Sequence, residues 1–244
     1  MVHEPCQLRR IRAPRFPTLS LMLSDLEWQA LWLSIKVALA ATALNLPTGF
    51  AVAWALTRSA IPWKPFWRSV TLLPLVVPPV VMGYLLLLMF SPNHSLGALL
   101  SQVGLVIAFN WKGAVLASWI TSFPLMIRSM VVAIERHDWR LEEAAICLGS
   151  SPLKTFGRIT LPLLKSGLIG GSVLAFSRAF GEFGATVTLC ASIPGETQTL
   201  PLAIYNAVQQ PDGDAAALRL TLICAAVSVV AVAASEWVSG RKDR

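Results

Sequence analysis

Charged residues are scarce in this sequence. Asp, Glu, Lys and Arg make up 14% of its 244 residues, whereas a soluble domain typically carries about 25%. Hydrophobic residues make up 55%, and the mean hydropathy is +0.62. This composition excludes an ordinary soluble domain and is typical of a protein that crosses a membrane several times.

Reactive and metal-binding side chains are also sparse. The cysteines and histidines are scattered, without the paired spacing of a disulfide framework or a metal site; they are Cys6, Cys147, Cys190, Cys224, His3, His94 and His137. The sequence also lacks a Gly-x4-Gly-Lys-Ser/Thr loop, which cradles the phosphates of ATP in many nucleotide-binding proteins. It therefore predicts no catalytic residues, no metal and no cofactor.

Five apolar segments are long enough to cross a bilayer core of about 30 Å. The predicted fold is an all-α, polytopic membrane bundle in one domain over residues 25–240. Its predicted spans are 28–57, 69–90, 113–134, 166–191 and 215–235.

The positive charges are placed as in a membrane protein. The net charge is +7, but Lys and Arg cluster in 58–68, 135–165 and the tail 241–244, not in a nucleic-acid-binding surface. The positive-inside rule assigns these three segments to the cytoplasm. Five spans then place the C-terminus in the cytoplasm and the N-terminus outside. Four early arginines violate the rule, so residues 1–24 are predicted to be a disordered extension or a mis-assigned start, with Met22 as the alternative.

The polar segment 135–165 is predicted to form two short helices. Asp138 suits the N-cap of the first helix, and Gly149 suits its end because glycine tolerates a left-handed backbone. Pro152 suits the first position of the second helix, and Pro162 is predicted to mark the break before the next span. The segment fits either a docking site for a partner or a basic amphipathic loop resting on lipid headgroups.

Three prolines interrupt the second predicted span: Pro74, Pro78 and Pro79. They must disturb its hydrogen-bond ladder, because proline has no N–H and clashes with the preceding turn. The disturbance is either a packing kink or a bend at a moving gate.

The fourth predicted span combines small and charged residues. Small residues recur every four positions at Gly167, Gly171, Ala175 and Ala179, a pattern that lets another helix approach closely. On one continuous helix, Arg178 and Glu182 would lie on the same face. The pair is either a structural salt bridge or part of a functional site, since charges inside a membrane are costly.

Several motifs resemble those of a known transporter family. The spacing Glu143-Ala144-Ala145, three residues, Gly149, nine residues, Ile159-x-Leu161-Pro162 resembles the EAA loop of ABC-importer permeases. The stretch AFSRAFGEFGAT (175–186) is similar to that of molybdate ABC transporter permeases, and sulfate permeases carry a related pattern. The stretches LLPLVVPPVVMGYLLLL, IPGETQTLPLAIY and SEWV extend the likeness to nearly everything after residue 24.

This resemblance implies a type I permease fold, a homodimer around a central path, and import of molybdate across the bacterial inner membrane by alternating access. The implied partners are a cytoplasmic ATPase, which hydrolyses ATP and docks on the 135–165 loop, and a periplasmic or extracellular molybdate-binding protein. Lipid surrounds the spans. The implied coupling residues are Glu142, Glu143, Ala144, Ala145, Gly149, Ile159, Leu161 and Pro162. The candidate pathway or gate residues are Pro78, Pro79, Arg178 and Glu182.

Three alternatives remain open at this point. A sulfate, thiosulfate or tungstate permease would have a similar sequence, because recognition belongs largely to the binding protein. An intramembrane enzyme using Arg178 and Glu182 would lack a nucleophile–base pair. A receptor or scaffold would not explain the EAA-like spacing.

Overall fold

A computed structural model describes residues 23–240, and all regular secondary structure in that range is helical. Residues 1–22 of the predicted extension 1–24, and the tail 241–244, lie outside the described residues. In chain order the helices are α1 (Asp25–Arg58), α2 (Lys64–Val76), α3 (Pro79–Phe90), α4 (Ser95–Gln102), α5 (Trp111–Glu135), α6 (Arg140–Cys147), α7 (Pro152–Thr155), a π-helical turn (Phe156–Thr160), α8 (Leu161–Leu163), α9 (Lys165–Phe180), α10 (Gly184–Cys190), α11 (Leu200–Val208) and α12 (Asp214–Gly240).

Helix α1 has a well-defined start. The Ser24 hydroxyl accepts a hydrogen bond from the backbone N–H of Glu27, and the Glu27 carboxylate accepts one from the N–H of Ser24. This reciprocal capping box satisfies two N–H groups that a helix start would otherwise leave unpaired. It fixes the start of α1 at Asp25, near the predicted span 28–57.

Helix α5 lies at the centre of the bundle. It packs against α1, α2, α9 and α10. Half of its most apolar stretch is buried within the chain, compared with 11% for α12. Helix α12 is therefore peripheral, and its apolar side chains suit contact with lipid.

Among residues 23–240, three helices are long and apolar enough to cross a membrane, and there are up to five such segments if each bent helix pair counts as one span. The predicted span 69–90 is broken at two of its three prolines. The chain forms α2 and α3 with a 102° bend between them. Pro78 and Pro79 sit at this break, with Pro79 opening α3, because a first-turn residue needs no N–H partner.

The fourth predicted span, 166–191, is also interrupted. Helix α9 ends at Phe180 and α10 starts at Gly184, so Glu182 lies in the turn between them. The prediction that Arg178 and Glu182 share one continuous helix is therefore wrong. Gly181 follows the last residue of α9, a common position for glycine at helix ends.

Two of the segments between the predicted spans contain helices. The segment 91–112 holds α4, and the segment after the fourth span holds α11. Leu200 and Leu202 of α11 are fully buried, and the N–H of Leu200 donates to the Ser34 hydroxyl at 2.6 Å. Helix α11 packs between α1 and α12 and therefore belongs to the bundle.

Candidate functional site

The 135–165 loop folds into the predicted pair of short helices around a glycine turn. The Asp138 carboxylate accepts a hydrogen bond from the N–H of Arg140 at 3.1 Å, although the backbone cap position belongs to Trp139. Gly149 has φ +87°, and nothing lies within 4 Å of the position its Cβ would occupy. The turn therefore requires glycine for its backbone conformation and not for lack of space.

The turn carries exposed apolar side chains. Leu148 is 88% exposed and Leu153 is 82% exposed, one on each side of Gly149. Glu143 and Ala144 are exposed and Ala145 is half-buried, so the predicted motif residues surround the same surface. Exposed apolar residues on a compact projection are typical of a surface that another protein covers.

Glu142 differs from Glu143 because it faces into the loop. The Thr160 hydroxyl donates a hydrogen bond to Glu142 Oε1, and His137 Nε2 lies 3.4 Å from the same oxygen. Glu142 therefore ties α6 to the π-helical turn that follows α7. Its position supports a role in shaping the loop.

The C-terminal part of the motif has mixed exposure. Ile159 is half-buried, while Leu161 and Pro162 are exposed. The predicted break at Pro162 is misplaced: Pro162 lies inside α8, and a 59° bend follows at Leu164. The wider π-helical turn just before Pro162 accommodates the proline, which has no N–H to donate to the preceding turn.

Arg178 and Glu182 form an ion pair in which the carboxylate is the buried partner. Arg178 Nη1 lies 2.6 Å from Glu182 Oε2, and the side chains are 27% and 1% exposed. Glu182 Oε1 accepts a hydrogen bond from the N–H of Ala185 at 2.9 Å, in the first turn of α10. Glu182 therefore links the end of α9 to the start of α10, and only the guanidinium is partly accessible.

The proline break lies against this same turn. A Cβ at Gly184 would lie 2.7 Å from Pro79 Cβ, and one at Gly83 would lie 2.6 Å from the carbonyl oxygen of Ala185. Helices α3 and α10 can approach this closely because both residues lack a side chain. The structure therefore brings the two separately predicted pathway features together at one junction.

The small-residue ladder of α9 packs against α5 of the same chain. A Cβ at Gly167 would lie 2.3 Å from Ala133 Cβ, and one at Gly171 would lie 2.8 Å from Met126 Sδ. The ladder therefore joins two helices of one chain and gives no support to a dimer interface. The sequence pattern indicated a close helix contact correctly but could not identify the partner helix.

The sequence did not indicate two polar contacts between helices. Glu27 of α1 pairs with Arg219 of α12 at 2.5 Å, and Asn45 of α1 donates to the Ser122 hydroxyl of α5 at 2.8 Å. The one available signal was a polar residue in an apolar segment, which indicates an interior position but not its partner.

A bundle of straight and broken apolar helices is typical of a protein embedded in a membrane. Residues 45–244 match the family model described as "Binding-protein-dependent transport system inner membrane component", and the chain belongs to this family.

Two curated relatives are similar over most of the chain. The molybdenum transport system permease protein ModB of Escherichia coli K12 is 46% identical over 90% of this chain and 96% of that protein. The sulfate transport system permease protein CysW of the same strain is 36% identical over 85% of this chain and 72% of that protein. A solved bacterial ABC transporter that imports alginate superposes with a TM-score of 0.70 over 92% of this chain and 82% of its own, at 17% identity, and so supports the fold alone.

The chain is therefore a multi-pass inner-membrane permease subunit of an ABC importer and not an enzyme. In such importers a separate subunit hydrolyses ATP, and a binding protein delivers the cargo.

Proposed function

We propose that the chain is the permease for molybdate. The observation that carries this proposal is the near-full-length similarity to a molybdenum permease, which exceeds the similarity to a sulfate permease in both identity and coverage. Sulfate remains the alternative cargo because sulfate, like molybdate, is a tetrahedral dianion and a sulfate permease is also similar to this chain. Thiosulfate and tungstate permeases belong to the same alternative.

The 135–165 loop is the proposed docking site of the ATPase. Its support is geometric: a rigid turn at Gly149 presents Leu148 and Leu153 to solvent, with Glu143 and Ala144 alongside. A partner that covers these apolar side chains gains free energy from their burial. Small Ala residues in the same patch allow close approach.

The junction of Pro79, Gly184 and the Arg178–Glu182 pair is the proposed moving part of the anion pathway. The break between α2 and α3 meets the break between α9 and α10 at this point, and a break can absorb a change in backbone angles. The partly exposed guanidinium of Arg178 offers a positive charge to a passing oxyanion, while Glu182 holds it in place. Alternating access would reorient this junction between the two sides of the membrane.

The permease would act as a homodimer. Exposed apolar residues follow the bend of α2 and α3, among them Val76, Val80 and Tyr84. A second copy covering this surface would enclose the junction between two chains.

The charge pattern supports a cytoplasmic C-terminus and an external N-terminus for the membrane domain 25–240.

Uptake of labelled molybdate into proteoliposomes tests this function. The vesicles contain the permease and its ATPase, and the binding protein and ATP are supplied separately. We expect uptake only when all components are present. Uptake that needs no ATPase, or a complete system that takes up sulfate and not molybdate, would contradict the proposal.

A further inference from the structure

Side chains near the C-terminal end of α1 contact residues of the 135–165 loop. Phe50 and Trp54 stack at 5.6 Å between ring centroids in the last turns of α1, and Arg58 is the final residue of that helix. We call this group, together with the loop residues it contacts, the aromatic clamp; its members are Phe50, Trp54, Arg58, His137, Trp139 and Phe156.

Trp139 is the centre of the clamp. Its ring lies under the Arg58 guanidinium at 3.8 Å, meets the Trp54 ring edge-on at 5.8 Å, and contacts the His137 ring at 4.3 Å. A guanidinium over an indole face gains cation–π attraction in addition to packing. Trp139 directly precedes α6, so these contacts fix the start of the first loop helix.

Phe156 extends the clamp to the second part of the loop. Its ring meets Trp54 at 5.7 Å and Phe50 at 6.0 Å, both edge-on. Phe156 opens the π-helical turn after α7. Since Thr160 in the same turn bonds Glu142 of α6, both loop helices are joined to each other and to α1.

The geometry points to Trp139 and Arg58 as positioning residues that transmit loop displacement to α1. The clamp adds contacts with α1 to the loop's covalent ends at α5 and α9 and to the ion pair between Arg68 of α2 and Glu135 at 2.6 Å. Through the clamp, a movement of the loop also displaces α1, which packs along α5 and α9. Closely packed rings suit this role because protein interiors transmit strain with little compression. This inference rests on the proposed docking of an ATPase on the loop.

The test compares molybdate taken up per ATP hydrolysed in the complete reconstituted complex. We expect Trp139→Leu to keep ATPase association and hydrolysis but to lower uptake per ATP at least tenfold. Trp139→Phe should recover most of that loss, because an aromatic ring still meets Arg58 and Trp54. Trp28→Leu, at an exposed position of α1 outside the clamp, is the matched control and should behave as the parent.

Arg58→Gln provides an independent variant at an exposed position, where folding is little affected. We expect a several-fold loss of uptake per ATP, with Arg58→Lys closer to the parent. An unchanged ratio in both Trp139→Leu and Arg58→Gln would overturn the inference, as would loss of ATPase association in Trp139→Leu. The parental complex reports separately on the proposed function: if it binds no ATPase, the docking proposal fails before any variant is compared.

Discussion

Pro79 and Gly184 touch where two breaks in the helices meet: a Cβ atom at Gly184 would lie 2.7 Å from Pro79 Cβ. The contact joins the first turn of α3 to the first turn of α10. Gly184 lies two residues after Glu182, whose carboxylate accepts a hydrogen bond from the N–H of Ala185. The two breaks are therefore in direct contact.

Gly184→Ala should disturb this junction. The added methyl group would press on Pro79, and overpacking of this kind costs about 1–3 kcal/mol. We expect a lower unfolding temperature in detergent and reduced molybdate uptake. Gly181→Ala is the matched control in the same turn, because its Cβ would meet only the Ser177 carbonyl oxygen at 3.6 Å, an ordinary contact. Equal unfolding temperatures and equal uptake in the two variants would show that the methyl group at position 184 does not press on Pro79.

Gly149→Val should uncouple the permease from its ATPase. A β-branched residue at φ +87° strains the backbone by about 1–2 kcal/mol and displaces Leu148 relative to Leu153. We expect normal membrane insertion with loss of ATPase copurification. Gly149→Asn should retain much of the association, since asparagine tolerates this conformation better than valine does. Full copurification and uptake by Gly149→Val would rule out the docking assignment.

Arg178→Leu should be more damaging than Glu182→Gln. Loss of the arginine leaves a carboxylate that is 1% exposed without its counter-charge, at a cost of about 3 kcal/mol, the low end for a buried pair because Arg178 reaches solvent. In Glu182→Gln, the amide carbonyl oxygen of the new side chain can still accept the hydrogen bond from the N–H of Ala185. Thermal unfolding and uptake measured in parallel compare the two variants.

The combined change Arg178→Leu with Glu182→Leu separates a structural role from a functional one. If the pair only joins α9 to α10, both assembly and uptake should recover relative to Arg178→Leu. If Arg178 also meets the oxyanion, assembly should recover without uptake. Parental uptake by Arg178→Leu alone would contradict both roles.

The sequence predicted those parts of the fold that depend on local composition. The long apolar segments predicted α1, α5 and α12. The positions of Gly149 and Pro152 predicted the helix–turn–helix around Gly149. The ion-pair partners Arg178 and Glu182 were also identified, although on the mistaken assumption of one continuous helix. These features depend on residues close together in the sequence.

The remaining features depend on contacts between distant residues. Nothing near Gly184 in the sequence indicates that Pro79 lies against it, and a ladder of small residues cannot say whether α5 or a second chain fills its groove. Helix α11 was missed because its flanking residues are those of a loop. The prolines predicted a break in the second span but not its 102° angle, which depends on packing against distant residues.

Competition between anions in the reconstituted system tests whether the cargo is molybdate or sulfate. Uptake of labelled molybdate by the complete importer is measured in about a hundredfold excess of either sulfate or unlabelled molybdate, which offsets an affinity roughly a hundredfold weaker. For a molybdate permease, we expect unlabelled molybdate to abolish the labelled uptake and sulfate to leave most of it. If sulfate abolishes the uptake and is itself accumulated faster than molybdate, the chain is not a molybdate permease.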